Sequence, residues 1–258
     1  MFESRSARRN FFTGAFLVIC TLFSANPLFA IGTYAEGRVI IKLTKFESSG
    51  LIFESYEGTA TVTTFDAKEN CNSGENECYT PTAENISISV RPESKAAVNF
   101  MLKNLGNEML IHYCVHRIEP LALKTDFEVL SAQAVSSARP ADLAERHTVK
   151  KSGAKRNFSV RGKILRLEER GTVVKTYEGL YKDLQRNKVH PFSITEESMA
   201  AFAFRVMQTG QPHHLGITQA YVTGFRDSDF DIFEINKNDP AGGLVGEVET
   251  TDSEIEDE

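Results

Sequence analysis

The chain has 258 residues, 41% of them hydrophobic and 25% charged, a balance that excludes wholesale disorder and suits one large domain or two small ones. Its formal charge of −6 is unevenly spread: Gly246–Glu258 hold seven acids and no base, while residues 1–30 hold three Arg and one Glu. The body between them, residues 31–245, is near −1, so nucleic acid is not an expected partner.

The first element is an address. Arg5, Arg8 and Arg9 precede an uncharged run from Asn10 to Ala35 whose apolar centre is Phe11–Phe23, and Ala30 follows Pro27-Leu28-Phe29. A basic start, a short apolar stretch and a small residue after a helix breaker describe a secretory signal peptide over residues 1–30. Its removal after Ala30 takes the net charge from −6 to −8. Export to the periplasm or cell surface is therefore expected. Asn26 and Pro27 interrupt the run before the ~20 residues that a span requires. Retention as an anchor, a lipidated Cys20 after Leu17-Val18-Ile19, and a twin-arginine signal at Arg8-Arg9 remain alternatives.

A first β-rich unit spans 31–133. Arg38–Glu47 and Leu51–Thr64 read as strands around a Ser48-Ser49-Gly50 hairpin. Cys71 and Cys78 bracket a polar, turn-forming run, and in an oxidising compartment they are expected to form a disulfide worth on the order of 2–3 kcal/mol. Asn85–Val90 alternates. Pro92 and Glu93 then open a helix with Val98, Met101, Leu102 and Leu105 as its apolar stripe, ended by Gly106. Met109–Ile118 and Phe127–Ser131 complete the unit as strands.

Residues 134–156 read as a polar linker with a short helix at Pro140–Arg146. A second unit, 157–239, repeats the first in four blocks in the same order. Gly50…Tyr56-Glu57-Gly58 recurs as Gly171…Tyr177-Glu178-Gly179. Glu93-Ser94 through Phe100 and Gly106 recur as Glu197-Ser198 through Phe204 and Gly210. Asp126-Phe127-Glu128 recurs as Asp229-Phe230-Asp231, and both repeats carry an alternating strand ahead of the first block. Thr195 is the expected N-cap of the second helix, with Ile194 stapled to Met199. Residues 240–258 form an acidic tail with the composition of disorder.

The order β-β-β-α-β-β, written twice, is that of an OB-fold, a five-stranded barrel with a helix between its third and fourth strands. The expected fold class is thus β-rich α+β, with two tandem OB-like small barrels after the signal segment. An open sheet with a helix on one face is the alternative.

Gly37-Arg38-Val39-Ile40-Ile41-Lys42-Leu43…Gly50…Tyr56-Glu57-Gly58 resembles a strand motif of small exported bacterial proteins of unknown function, some of them labelled 6-phosphogluconate dehydrogenase. The resemblance covers about twenty residues per unit and departs from the family's pattern at Thr59-Ala60. It implies no catalytic residues. The dehydrogenase label has no G-x-G-x-x-G after a strand to stand on.

Candidate chemistry is sparse. His112, Cys114 and His116 alternate along one strand face and are the candidate metal ligands. Because residues two apart on a strand lie about 6.6 Å apart, all three cannot reach one ion; Cys-x-His or His-x-Cys could, with a ligand from elsewhere. Asp227, Asp229 and Asp231 lack the glycine of a calcium loop. Tyr56, Glu57, Tyr177 and Glu178 are the candidate binding edge, with an architectural role for the adjacent glycines as the competing reading. No nucleophile elbow, phosphate loop or paired catalytic carboxylate is present, and no cofactor is expected. The sequence points to a non-enzymatic binding protein of the cell envelope, whose partner is a protein or an extracellular ligand. The alternative is a metal-assisted enzyme using the His112/Cys114/His116 strand.

Overall fold

The structure, a computed structural model, describes residues 32–51, 53–66, 79–135, 140–150, 154–171, 175–221 and 224–238. The expected signal segment, Cys71 and Cys78 with their expected disulfide, and the acidic tail lie outside them. Among the described residues no helix is long and apolar enough to cross a membrane.

The first unit comprises β1 (Thr33–Ser49), β2 (Ser55–Asp66), β3 (Thr80–Val90), α1 (Lys95–Lys103), β4 (Glu108–His116) and β5 (Phe127–Ala134). Antiparallel pairing runs β1–β2, β2–β3, β4–β5 and β4–β1, and one parallel contact, Ser89↔Glu128, joins β3 to β5. The pairings close into a ring, so no strand of the set is left wholly unpaired along an edge. Alternation then sends Val39, Ile41 and Leu43 inward with Met109, Ile111 and Tyr113, and α1 adds Ala97, Val98 and Met101.

After β6 (Arg146–Thr148), the second unit repeats the arrangement with β7 (Ala154–Arg170), β8 (Thr176–Asp183), β9 (Lys188–Ile194), α2 (Glu197–Thr209), β10 (His213–Ala220) and β11 (Phe230–Asn236). The same ring closes through β7–β8–β9–β11–β10–β7, and its parallel contact is Asp231↔Ser193. The strand-rich character and the internal duplication read from the sequence are both present.

The paired glycines have a structural task. β1 shifts register between Leu43 and Lys45, just before Phe46 pairs with Gly58, and β7 shifts between Ile164 and Arg166, just before Leu167 pairs with Gly179. A Cβ on Gly58 would sit 2.8 Å from the Lys45 carbonyl oxygen, and one on Gly179 would sit 2.4 Å from the Phe192 ring. Each bulge bends a long first strand so that it serves both sides of its ring.

Three local expectations change. In α1, Leu102 and Leu105 stand half-exposed, and Ala97 takes the buried place, because the helix stops at the Asn104 cap. Gly106, at φ +84°, then turns its N–H onto the Leu43 carbonyl. The N-cap of α2 is Glu196, since the Thr195 hydroxyl donates to Asp231 at 3.0 Å. Pro140–Arg146 forms a turn rather than a helix, closed by Leu143 N–H to the Pro140 carbonyl. β6 follows it because β11 beyond Asp231 has an open edge, which Arg146–Thr148 fills.

Each ring has its own apolar cluster, with one exchange: Ile40 and Leu110, on the outer face of β1 and β4, pack into the second cluster beside α2 residues such as Phe202 and Val206. The Arg38 guanidinium lies over Phe204 and donates to its carbonyl at 3.2 Å. The rings also share a seam, where Ala35–Val39 of β1 pair with Arg170–Arg166 of β7.

Candidate functional site

The seam positions the most distinctive site. Pairing of β1 with β2 begins only at Ile41, so the earlier part of β1 has β4 on one side and β7 on the other. In β7, Arg166, Glu168 and Arg170 reach the first ring, where they line one cavity together with Val39, Val62, Ile86 and Tyr113. Gly37 permits this approach: its Cβ would fall 2.5 Å from Glu168 Cβ.

Behind these charges lies a cavity of about 320 Å³. Its walls include Val39, Val62, Ile86, Val115 and Phe127, which point inward yet remain, except for Val39, only partly buried. Tyr113, stacked on Phe127 at 4.3 Å, donates its hydroxyl to Glu168. Glu168 is 2% exposed and also accepts from Arg166 and Arg170, while Arg170 reaches the exposed Asp227. Burial would raise the Glu168 carboxyl, but Arg166, Tyr113 and Arg170 outweigh it and hold the pKa below its ordinary value. Burial pushes the Tyr113 hydroxyl well above the usual phenol range. The outcome is a largely apolar chamber lined also by the Tyr113 hydroxyl, the carboxylates of Glu168 and Glu84, and the guanidiniums of Arg166 and Arg170.

The second ring fills the equivalent space. Ala60 faces Ile86 in the first ring where Tyr181 faces His190 in the second. Tyr181 stacks on His190 at 5.4 Å, His190 meets Phe230, and Phe158 meets Phe230 edge-on. Tyr79, just before β3 of the first unit, covers His190 at 4.6 Å. Burial pushes the His190 imidazole down to about 4. One ring is open at this end; its copy is plugged with aromatics.

Tyr56, Glu57, Tyr177 and Glu178 lie away from that cavity. Glu57 accepts from Ser55 and Ser89 hydroxyls at 2.6 Å each, and Glu178 accepts from Ser193 at 2.6 Å. Tyr56 stacks on Phe46 at 5.7 Å. The glutamates thus tie the second strand to the third in each ring, and burial raises the Glu178 carboxyl.

Of the candidate metal ligands, the structure gathers two and separates the third. His112 pairs with Glu36 at 2.8 Å. Cys114 Sγ lies 3.5 Å from His116 Nε2, which lies 2.7 Å from Glu128 Oε2 on β5. Arg91 Nε also holds Glu128, at 2.7 Å. Burial would raise the Glu128 carboxyl, yet Arg91 and His116 bring it below the ordinary value. Asp227, Asp229 and Asp231 face Arg170, Gln219 and Thr195 respectively, rather than one point.

Sequence reading missed Tyr113, Arg166, Glu168 and Arg170. A signal existed in Arg166-Leu167-Glu168-Glu169-Arg170, where charges alternate on one face as Lys45 and Glu47 do in the first repeat, but with Arg170 added where the first repeat has Ser49. The small Ala60 against the large Tyr181 was a second.

A family model described as Domain of unknown function (DUF8785) matches residues 32–139 and 153–242, in two stretches that follow the duplication. No curated protein matches the chain. Among solved structures, the wild-type single-stranded DNA binding protein from Thermus aquaticus is similar at 8% identity and a TM-score of 0.25, over 83% of this chain and 97% of that one. A deletion mutant of the same Thermus aquaticus protein is similar at 11% identity and a TM-score of 0.25, over 78% of this chain and 90% of that one.

Proposed function

The chain belongs to the family described as Domain of unknown function (DUF8785), and from that premise we propose that it is an exported, non-enzymatic binding protein whose first ring takes a small ligand at its open end. Each ring is read as an OB-like barrel, because its five strands pair in the order 1-2-3-5-4-1 with a helix between the third and fourth. One observation carries the binding assignment. The same barrel end is an apolar chamber of about 320 Å³ in one unit and packed with Tyr181, His190 and Phe158 in the other.

Such a chamber lies within the size range of small-molecule sites, which combine apolar walls with a few placed polar groups. The walls suit a flat or branched apolar body. Arg166 and Arg170 stand beside Glu168 and Glu84, so the rim offers donors and acceptors of both signs, which suits a strongly hydrogen-bonding end. Export rests on the arginine-led apolar segment and Ala30.

A thermal-shift screen of envelope-derived and extracellular small molecules with an apolar body and a polar end tests the reading. A ligand should raise the melting temperature of the wild type and leave Ile86→Phe unmoved. Catalytic turnover of the bound compound would overturn the non-enzymatic assignment, and equal shifts in both proteins would overturn the site.

A further inference from the structure

We infer that Cys114, His116 and Glu128 form a binding site for a zinc-type divalent ion, on the outer face of the first ring and separate from the cavity. β4 presents Cys114 and His116 two residues apart on its outward face, and strand register sets Glu128 of β5 directly opposite Cys114. Their ligand atoms all lie within 4.8 Å of one another. Cys114 and Glu128 are buried, and His116 is partly exposed, which leaves one side open.

The distances suit a tetrahedral ion. With Zn–S near 2.3 Å and Zn–N near 2.0 Å, a sulfur and a nitrogen on one zinc stand about 3.5 Å apart. Cys114 Sγ and His116 Nε2 are already 3.5 Å apart. The ion would replace the hydrogen bond between His116 and Glu128, which must open by roughly 0.6 Å to reach the N···O separation of a zinc site. Arg91 holds both oxygens of Glu128, Nε on Oε1 at 2.7 Å and Nη2 more loosely on Oε2 at 3.3 Å, and so fixes the carboxylate plane while the second lone pair of Oε2 faces His116.

Charge supports the same assignment. Glu36 of β1 pairs directly across from Cys114 on its other side, so the thiol stands between two carboxylates. Two carboxylates beside the thiol favour a dication there, and on binding the thiol loses its proton to solvent and the thiolate becomes a ligand. Thiolate, imidazole and carboxylate together select a borderline-soft ion, and three protein ligands leave a fourth position for water.

The second ring supplies an internal contrast. Thr218 and Ala220 stand where Cys114 and His116 stand in the first, and Asp231 replaces Glu128. That site keeps the carboxylate and loses the soft ligands. One ion per chain is expected.

Cobalt(II) is the probe, added to the untagged full chain after chelator treatment and reduction. The expected result is one equivalent bound, a near-ultraviolet thiolate-to-cobalt absorption, and displacement by zinc. Cys114→Ser should abolish that absorption, His116→Gln should weaken cobalt binding by about tenfold or more, and His112→Ala should leave both unchanged. Far-ultraviolet circular dichroism establishes that each variant is folded. Absorption that survives Cys114→Ser, which would place the ion on other cysteines, overturns the site, as does folded wild type that shows none.

Discussion

Gly37 of β1 faces Glu168 of β7 across the seam, so closely that a Cβ on Gly37 would lie 2.5 Å from Glu168 Cβ and 2.5 Å from the Leu167 carbonyl oxygen. The missing side chain is what allows a strand of the second unit to lay its charged face over the end of the first ring. Gly37→Val should force β1 and β7 apart. The expected cost is about 1–3 kcal/mol, read as a lower urea midpoint, together with weaker binding of any cavity ligand. An unchanged midpoint would mean that the seam is not packed as described.

The two Glu–Ser ties should differ in strength although their geometry repeats. Ser193 gives its hydroxyl to Glu178, and Ser193→Ala takes that bond from a buried carboxylate that keeps Thr176 and the Asp227 backbone, at a cost of about 1–3 kcal/mol. Ser89 does the same for Glu57 and also accepts the backbone N–H groups of Lys124 and Thr125. Ser89→Ala should therefore destabilise more than Ser193→Ala in matched urea titrations. The reverse order would contradict the assignment of Ser89 as the hub.

His190 predicts a signature in acid. Burial lowers its pKa from 6.5 to about 4 in the folded protein. The unfolded chain therefore binds a proton near pH 6.5 that the folded chain refuses until about pH 4. The stability contributed by neutral His190 is present above 6.5 and is lost as pH falls through that window. Because carboxylates titrate there too, the readout is the difference between proteins: His190→Phe should lose less stability than wild type between those two pH values. Parallel curves would show that the imidazole is not buried among Tyr79, Tyr181 and Phe230.

Much of the architecture was legible because it repeats. Matching blocks such as Tyr56-Glu57-Gly58 and Tyr177-Glu178-Gly179 fix equivalent strands without any knowledge of pairing. The seam was not legible, since Arg166, Glu168 and Arg170 become a site only when β7 lies beside β1, a contact between residues more than a hundred positions apart. Cys114 and His116 were visible as alternating residues, whereas their third partner, Glu128, is set by β4–β5 register. Pro140–Arg146 misled because local composition favoured a helix, while the open edge of β11 drew the following residues into a strand.

The difference between the ends of the two strand rings is tested most directly by the stoichiometry of a small apolar anion, such as an anilinonaphthalene sulfonate, titrated into the folded chain by fluorescence and calorimetry. One site per chain is expected, abolished by Ile86→Phe, which fills the first chamber, and retained by His190→Phe, which keeps the second one filled. Two equal sites, or a single site indifferent to Ile86→Phe, would contradict the account.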